Sequence, residues 1–187
     1  AEGRRLPQLP PARREGDAGH GEPQFVIEHI DLYAQSGSIP ADDLDYQLPF
    51  GKAAVRRAGN DVTVLTYLSM VGHSLEAAEL TGIDAEVVDL RWLDKASIDW
   101  DTIGDSIKKT NSVLIVEQGA QGTSYGGWLA DEIQRRFFDY LDQPVQRVTG
   151  KESAPSISKV LERAAMAKTE EVVEGLTRTM ANVRGGN

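Results

Sequence analysis

The residues with the most chemical promise lie in Glu117-Gln118-Gly119-Ala120-Gln121-Gly122-Thr123-Ser124-Tyr125-Gly126-Gly127. This glycine-rich run joins an apolar, strand-like segment to a helix-like one. Backbone N–H groups at the start of a helix, with its dipole, hold anions well. The spacing nevertheless fits neither G-x-G-x-x-G nor G-x-x-x-x-G-K-[ST], and no lysine follows to reach a phosphate. The better reading is a turn in which Thr123 or Ser124 caps the helix. Gly51-Lys52 invites the same phosphate chemistry, but a glycine and a lysine ahead of a strand are commonplace. His29 beside Glu28 has the residue types of an acid–base pair, yet neighbours on a strand face opposite ways. His73 falls off the apolar stripe of its helix and reads as a partly exposed structural histidine. The acidic residues Asp84, Glu86, Asp89, Asp94, Asp99, Asp101 and Asp105 could hold a cation or a basic protein. Their spacing is not that of an EF-hand loop, and a solvated face with aspartates at a helix start explains most of them.

Other chemistries fall away. There is no G-x-S-x-G elbow and no H-E-x-x-H helix. Cysteine is absent, which removes disulfides, thiol catalysis and thiolate metal sites. Histidines at 20, 29 and 73 are too scattered for a zinc cluster. No catalytic, cofactor-binding or metal-ligating residue is assigned.

The elements that would position these groups belong to a chain of 187 residues, 40% hydrophobic and 26% charged, with a formal net charge of −9. That length suits one domain with an appendage. The acidic balance argues against nucleic acid, whose phosphates need a basic footprint, and favours basic partners. No apolar run approaches the ~18 residues of a membrane helix, and no signal peptide opens the chain. A cytoplasmic protein with no membrane partner is expected.

Residues 1–23, with prolines at 7, 10, 11 and 23 and arginines at 4, 5, 13 and 14, read as a flexible extension. Phe25 to Ile30 is β-like and leads into a polar loop through residue 45. Lys52–Arg57 and Val62–Tyr67 read as strands joined in a hairpin by Ala58-Gly59-Asn60-Asp61. Ser69–Thr81 is an amphipathic helix with Val71, Leu75 and Ala78 on one face and Gly82 as its stop. Strands follow at Ala85–Leu90 and Ser112–Val116, with a helix at Asp101–Thr110 between them. The continuous apolar run of the second strand predicts cover on both faces. A helix at Trp128–Leu141, a strand at Pro144–Val148 and helices at Ser156–Ala165 and Glu170–Ala181 complete the pattern. Strands alternating with helices imply an α/β fold: three layers around a mixed, mostly parallel sheet with one antiparallel edge hairpin.

The order of segments resembles the β subunit of thiamine-diphosphate-dependent 2-oxoacid dehydrogenases, the E1 component of pyruvate, branched-chain or acetoin dehydrogenase complexes. The resemblance is carried by Val26-Ile27-Glu28-His29 with Leu32-Tyr33, by Gly51-Lys52-Ala53 and by Gly59-Asn60-Asp61-Val62-Thr63-Val64. It continues through Ser74-Leu75-Glu76-Ala77-Ala78-Glu79, Ala85-Glu86-Val87-Val88-Asp89-Leu90-Arg91 and Ser106-Ile107-Lys108-Lys109-Thr110. Leu141-Asp142-Gln143-Pro144-Val145 and Arg147-Val148-Thr149-Gly150 close it. The usual Glu-Glu after the apolar strand is Glu117-Gln118 here, and a usual Pro-x-Pro is reduced to Ala154-Pro155.

The resemblance implies a division into a 1–23 extension, a 24–46 segment and a 47–187 transketolase-type C-terminal domain. The middle segment would be the last strand and linker of a pyrimidine-binding domain. It further implies that the complete enzyme uses thiamine diphosphate and Mg, that this chain alone binds neither, and that the isolated chain is inactive. The partners implied are an E1 α subunit, a second β subunit and the subunit-binding domain of the E2 acyltransferase, with Asp142 as the docking residue. The alternatives are a stand-alone, non-catalytic assembly module, or a transketolase or deoxyxylulose-phosphate synthase fragment.

Overall fold

The aliphatic-rich segments Val62–Thr66 and Val113–Val116 lie side by side in the interior of one sheet. A computed structural model describes residues 25–36, 48–152 and 157–185. The expected 1–23 extension and most of the loop before residue 48 lie outside those residues. Among the described residues there are five strands: β1 (Ala54–Arg57), β2 (Val62–Thr66), β3 (Ala85–Asp89), β4 (Val113–Ala120) and β5 (Gln146–Gly150). Their order is β1-β3-β2-β4-β5, with β2, β3, β4 and β5 parallel and β1 antiparallel to β3. The mixed three-layer α/β architecture read from the sequence is the one observed.

Alternation along the strands feeds two cores. Val62, Val64, Val87, Leu114 and Val116 face helices α1 (Met70–Thr81) and α5 (Thr169–Gly185). Leu65, Val88, Val113 and Ile115 face helices α2 (Trp100–Thr110) and α3 (Tyr125–Phe137). Every residue of β2 is buried, as expected of a strand covered on both sides. A short helix α4 (Lys159–Ala165) buries none of its residues and precedes α5.

The expected hairpin does not form. β1 pairs with β3, through Ala54↔Asp89 and Val55↔Val88, and not with its sequence neighbour β2. The chain from 58 to 61 crosses the start of β3: the N–H groups of Asn60 and Asp61 donate to the Asp84 carbonyl at 2.8 and 2.9 Å. The Arg57 guanidinium donates to the Ala85 carbonyl. Gly59 is required there, because a Cβ would stand 2.3 Å from the Ala85 carbonyl carbon. β2 is the more hydrophobic strand and takes a parallel neighbour on each side, which leaves β1 only the outer edge of β3.

Other elements shift for local reasons. Residues 25–29 form no strand, since among the described residues no neighbour pairs with them; Phe25, Val26 and Ile27 are exposed, and a 3-10 turn follows at Ile30–Ala34. The buried face of α1 is Met70, Ser74, Ala77 and Ala78, while Val71 and Leu75 lie half-exposed at its margin. Small residues there let α1 sit close to the sheet. Gly82 ends it at φ +66°, as its position predicts. α3 starts three residues earlier than expected, at Tyr125, and tightens into a 3-10 turn at Phe138–Tyr140. β5 begins after Pro144, which has no N–H to offer a ladder.

Candidate functional site

Open α/β sheets bind ligands outside the carboxyl ends of their strands, where successive crossovers leave in opposite directions. That point lies here between β2 and β4, because β3 is on the far side of β2. It is built around one carboxylate. Glu117 follows the apolar residues of β4 and is fully buried. Its Oε1 accepts from Ser124 Oγ at 2.8 Å and Arg147 Nη2 at 3.0 Å. Its Oε2 accepts from Gly126 N–H at 2.8 Å and Tyr67 Oη at 3.1 Å. Arg147 arrives from β5, whose Arg147 pairs with Ile115 of β4. The same Nη2 also donates to the Gln121 carbonyl at 3.1 Å and to Ser124 Oγ at 2.8 Å. Burial, followed by the Glu117 charge, pushes the Tyr67 hydroxyl well above the ordinary tyrosine range.

The glycine-rich loop therefore has a definite job, though not the expected one. Ser124 occupies the N-cap position of α3 without making a side-chain cap bond, and Thr123 makes none either. Glu117 reaches from the strand below to take the Gly126 N–H. Gly126 admits it: a Cβ there would lie 2.2 Å from Glu117 Oε1. A carboxylate enclosed by four donors has no lone pair to offer a substrate. It ties β2, β4, β5 and α3 together at one end of the sheet.

Above this centre sits the segment that carries His29. Its Nε2 lies 2.9 Å from Gln118 Oε1, and its Nδ1 accepts the Asp31 N–H at 3.3 Å, so the proton belongs on Nε2. His29 and Glu28 do not meet; Glu28 takes the Tyr33 hydroxyl instead. His73 is half-exposed and pairs with Thr169 Oγ1 at 2.8 Å, which agrees with a structural role.

Asp142 lies exposed on the loop between the 3-10 turn and β5, with its N–H donating to the Asn111 carbonyl at 2.9 Å. The acidic residues singled out in the sequence are dispersed rather than gathered. Asp84 binds Asn60 and Arg57, and the Asn60 side chain is the chief cause that lowers its carboxyl. Glu86 pairs with Lys109, and Asp89 with Arg91. Burial is the largest influence on Asp89 and raises it. Asp99 caps α2 through the Thr102 N–H, and Lys52 reaches it at 3.3 Å. Burial would raise the Asp99 carboxyl, but bonds from Thr102, Ala53 and Lys52 outweigh it and leave the group low. Lys52 thus serves a helix cap and not a phosphate. Among the described residues, no group of three or more His, Asp or Glu is placed to hold a metal ion.

Sequence reasoning missed the Glu117–Arg147–Tyr67 centre: Glu117 stood at the edge of a loop and Arg147 in a resembling segment, with nothing to join them. The available signal was an acid directly after an apolar strand, with an arginine at the matching register of the next parallel strand.

Residues 51–172 match the family described as transketolase, C-terminal domain. The chain belongs to that family. Among curated relatives of this transketolase C-terminal domain is the mitochondrial pyruvate dehydrogenase E1 component subunit beta-2 of Oryza sativa subsp. japonica. It is 35% identical over 162 residues, covering 84% of this chain and 43% of the relative. The mitochondrial subunit beta of Dictyostelium discoideum is 38% identical over 139 residues, covering 73% and 38%. The pyruvate dehydrogenase E1 component subunit beta of Rhizobium meliloti (strain 1021) is 34% identical over 157 residues, covering 82% and 34%. The chain thus spans less than half the length of these relatives. A solved structure named "Split gene transketolase, inactive beta4 tetramer" superposes with a TM-score of 0.61 at 24% identity, covering 80% of this chain and 48% of that one. That likeness shows the fold. Within this transketolase C-terminal domain, the glycine-rich loop does not fit a diphosphate. The helix start that would receive it already holds the Glu117 carboxylate, whose negative charge would repel a phosphate there.

Proposed function

We propose that this chain is the C-terminal portion of a 2-oxoacid dehydrogenase E1 β subunit. The observation that carries the reading is the 35% identity to a pyruvate dehydrogenase E1 β subunit across 84% of the chain, on a matching fold. The complete enzyme would decarboxylate a 2-oxoacid on thiamine diphosphate with Mg and reductively acylate a lipoyl group. This portion would contribute none of the chemistry: Glu117 is enclosed, and its loop does not fit the cofactor's diphosphate. Its work would be assembly, packing against an E1 α subunit and a second β subunit, and docking the E2 subunit-binding domain through Asp142.

The exposed position of Asp142 supports the docking role. Its backbone is pinned by Asn111 while its carboxylate faces solvent. A carboxylate so held can pair with an arginine or lysine without first paying to order a loop. Asp142→Asn keeps the turn and deletes the charge. Calorimetric titration with the E2 subunit-binding domain should show affinity falling by about 2–5 kcal/mol if the pair is buried in the complex. A pair at the rim would lose less and weaken with salt. Wild-type affinity in the variant at low salt would return Asp142 to a purely structural role.

A further inference from the structure

The turn that carries Asp142 exposes more than a carboxylate. Phe138 is 66% exposed and Tyr140 44%, while Leu141 between them and Asp142 packs half-buried into the α2–α3 core. Asp139 and Asp142 are both exposed. Neither carboxylate has a hydrogen-bond or ion-pair partner among the described residues. The cations nearby in sequence are engaged elsewhere. Arg135 pairs with Asp131, and Arg136 pairs with Glu132 and stacks on Trp100. Lys108 lies over the Tyr140 ring, 5.6 Å from its centroid.

Nothing local calls for this composition. The two aromatic rings add little to the core, and negative charge just beyond a helix C-terminus opposes the helix dipole. The backbone beneath is held firmly. Asn111, in the left-handed region at φ +56°, donates from Nδ2 to the Tyr140 carbonyl at 2.7 Å and accepts the Asp142 N–H. Gln143 Nε2 donates to Ser112 Oγ at 3.3 Å and to the Thr179 carbonyl at 3.0 Å. Two free acids interleaved with two exposed aromatics are thus presented on a fixed frame, where binding has little ordering to do.

A planar guanidinium stacks on an aromatic face and pairs with a carboxylate at the same time, which an ammonium does less well. The Tyr140 face already carries Lys108, whereas no cation lies on Phe138 among the described residues. We infer that Phe138 and Asp139 extend the Asp142 docking surface, and that its occupant is a small basic protein domain presenting arginine. One arginine stacks on Phe138 while neighbouring basic groups meet Asp139 and Asp142. This rests on the docking role proposed above, and the net charge of −9 is complementary to such a partner.

The test is calorimetric titration of the intact chain with the E2 subunit-binding domain at low and high salt. Phe138→Ala should weaken binding about tenfold or more at both salt concentrations, as expected for an aromatic anchor. Asp139→Asn should weaken it at low salt and much less at high salt. Phe138→Leu, which keeps apolar bulk without the π face, should also bind more weakly, and it serves if the alanine variant unfolds. Loss of binding in Asp142→Asn, with wild-type affinity in Phe138→Ala, Phe138→Leu and Asp139→Asn, would overturn this inference and leave docking at Asp142 standing. No binding by the unaltered chain would overturn the docking role itself.

Discussion

Replacing Glu117 by glutamine is the sharpest perturbation of the buried centre, because it keeps shape and removes charge. The carboxylate receives two donors on each oxygen. If the new NH2 takes the place of Oε2, it faces the Tyr67 hydroxyl and the Gly126 N–H. If it takes the place of Oε1, it faces the Ser124 hydroxyl and the Arg147 guanidinium. Either hydroxyl can turn and accept, but neither the Gly126 N–H nor Arg147 can. One fixed donor is therefore always left facing another donor, at a cost of about 1–3 kcal/mol. Arg147 also loses its counter-charge, and breaking a buried pair costs about 3–5 kcal/mol in all. Its side chain keeps 22% exposure and the Gln121 carbonyl, which favours the lower end, about 3 kcal/mol. For a chain of this size that is a fall of about 6–12 °C in Tm. Urea unfolding followed by circular dichroism measures it directly. In a double-mutant cycle, Glu117→Gln and Arg147→Met should be non-additive by at least ~0.5 kcal/mol. A loss below about 1 kcal/mol, or simple additivity, would refute the reasoning.

Gly59→Ala forces a Cβ to within 2.3 Å of the β3 backbone and should destabilise by at least about 1–3 kcal/mol. Gly72→Ala, an exposed position in α1 whose Cβ meets nothing within 4 Å, should stabilise the chain by about 0.5–1 kcal/mol; thermal unfolding of the two variants tests the opposite signs. Tyr67 and Tyr125 are both raised above the ordinary tyrosine range, chiefly by burial, with Glu117 and Asp94 respectively adding to it. Unfolding would bring them back to about 10, so the stability tied to their neutral forms is intact below that pH and is lost as pH climbs through their folded values. Tyrosinate absorbance should accordingly rise in two phases, the later one coinciding with unfolding, and a single phase from all five tyrosines would contradict this burial.

Periodicity made the strands and helices of the sheet legible. Val113–Val116 is apolar without interruption, and Val62–Thr66 breaks its aliphatic residues only with β-branched threonines; such segments have few places to go except the middle of a covered sheet. Partnership was harder to read. Gly59-Asn60 has turn chemistry, and nothing in those residues distinguishes a hairpin from a crossover past the end of β3; that choice depends on which strand β2 prefers beside it. The Val71–Leu75 face was misplaced because the sequence does not reveal that α1 approaches through alanine and serine. Asp142 falls in the gap the pattern leaves between the expected helix ending at Leu141 and the strand opening at Pro144, and it is exposed there. The Glu117 centre was not seen, since its four donors come from 67, 124, 126 and 147 and meet only when β2, β4 and β5 lie side by side.

The crossover at Gly59 also decides in what order the sheet can be completed. β1 leads the other strands in the chain, yet its partner residues arrive 35 positions later, as Ala54↔Asp89 shows by the difference 89 − 54. During synthesis β1 must wait, unpaired, until β2, α1 and β3 have emerged. Once docked, it seals the outer edge of β3, and its exposed Val55 and Arg56 then form the rim of the sheet. Charge on a rim strand discourages another chain from adding to it. A polypeptide beginning at Val62 would retain most of both cores but present the bare backbone of β3 to solvent. β1 is a small contributor to the folded mass and a large one to keeping the sheet from growing into its neighbours.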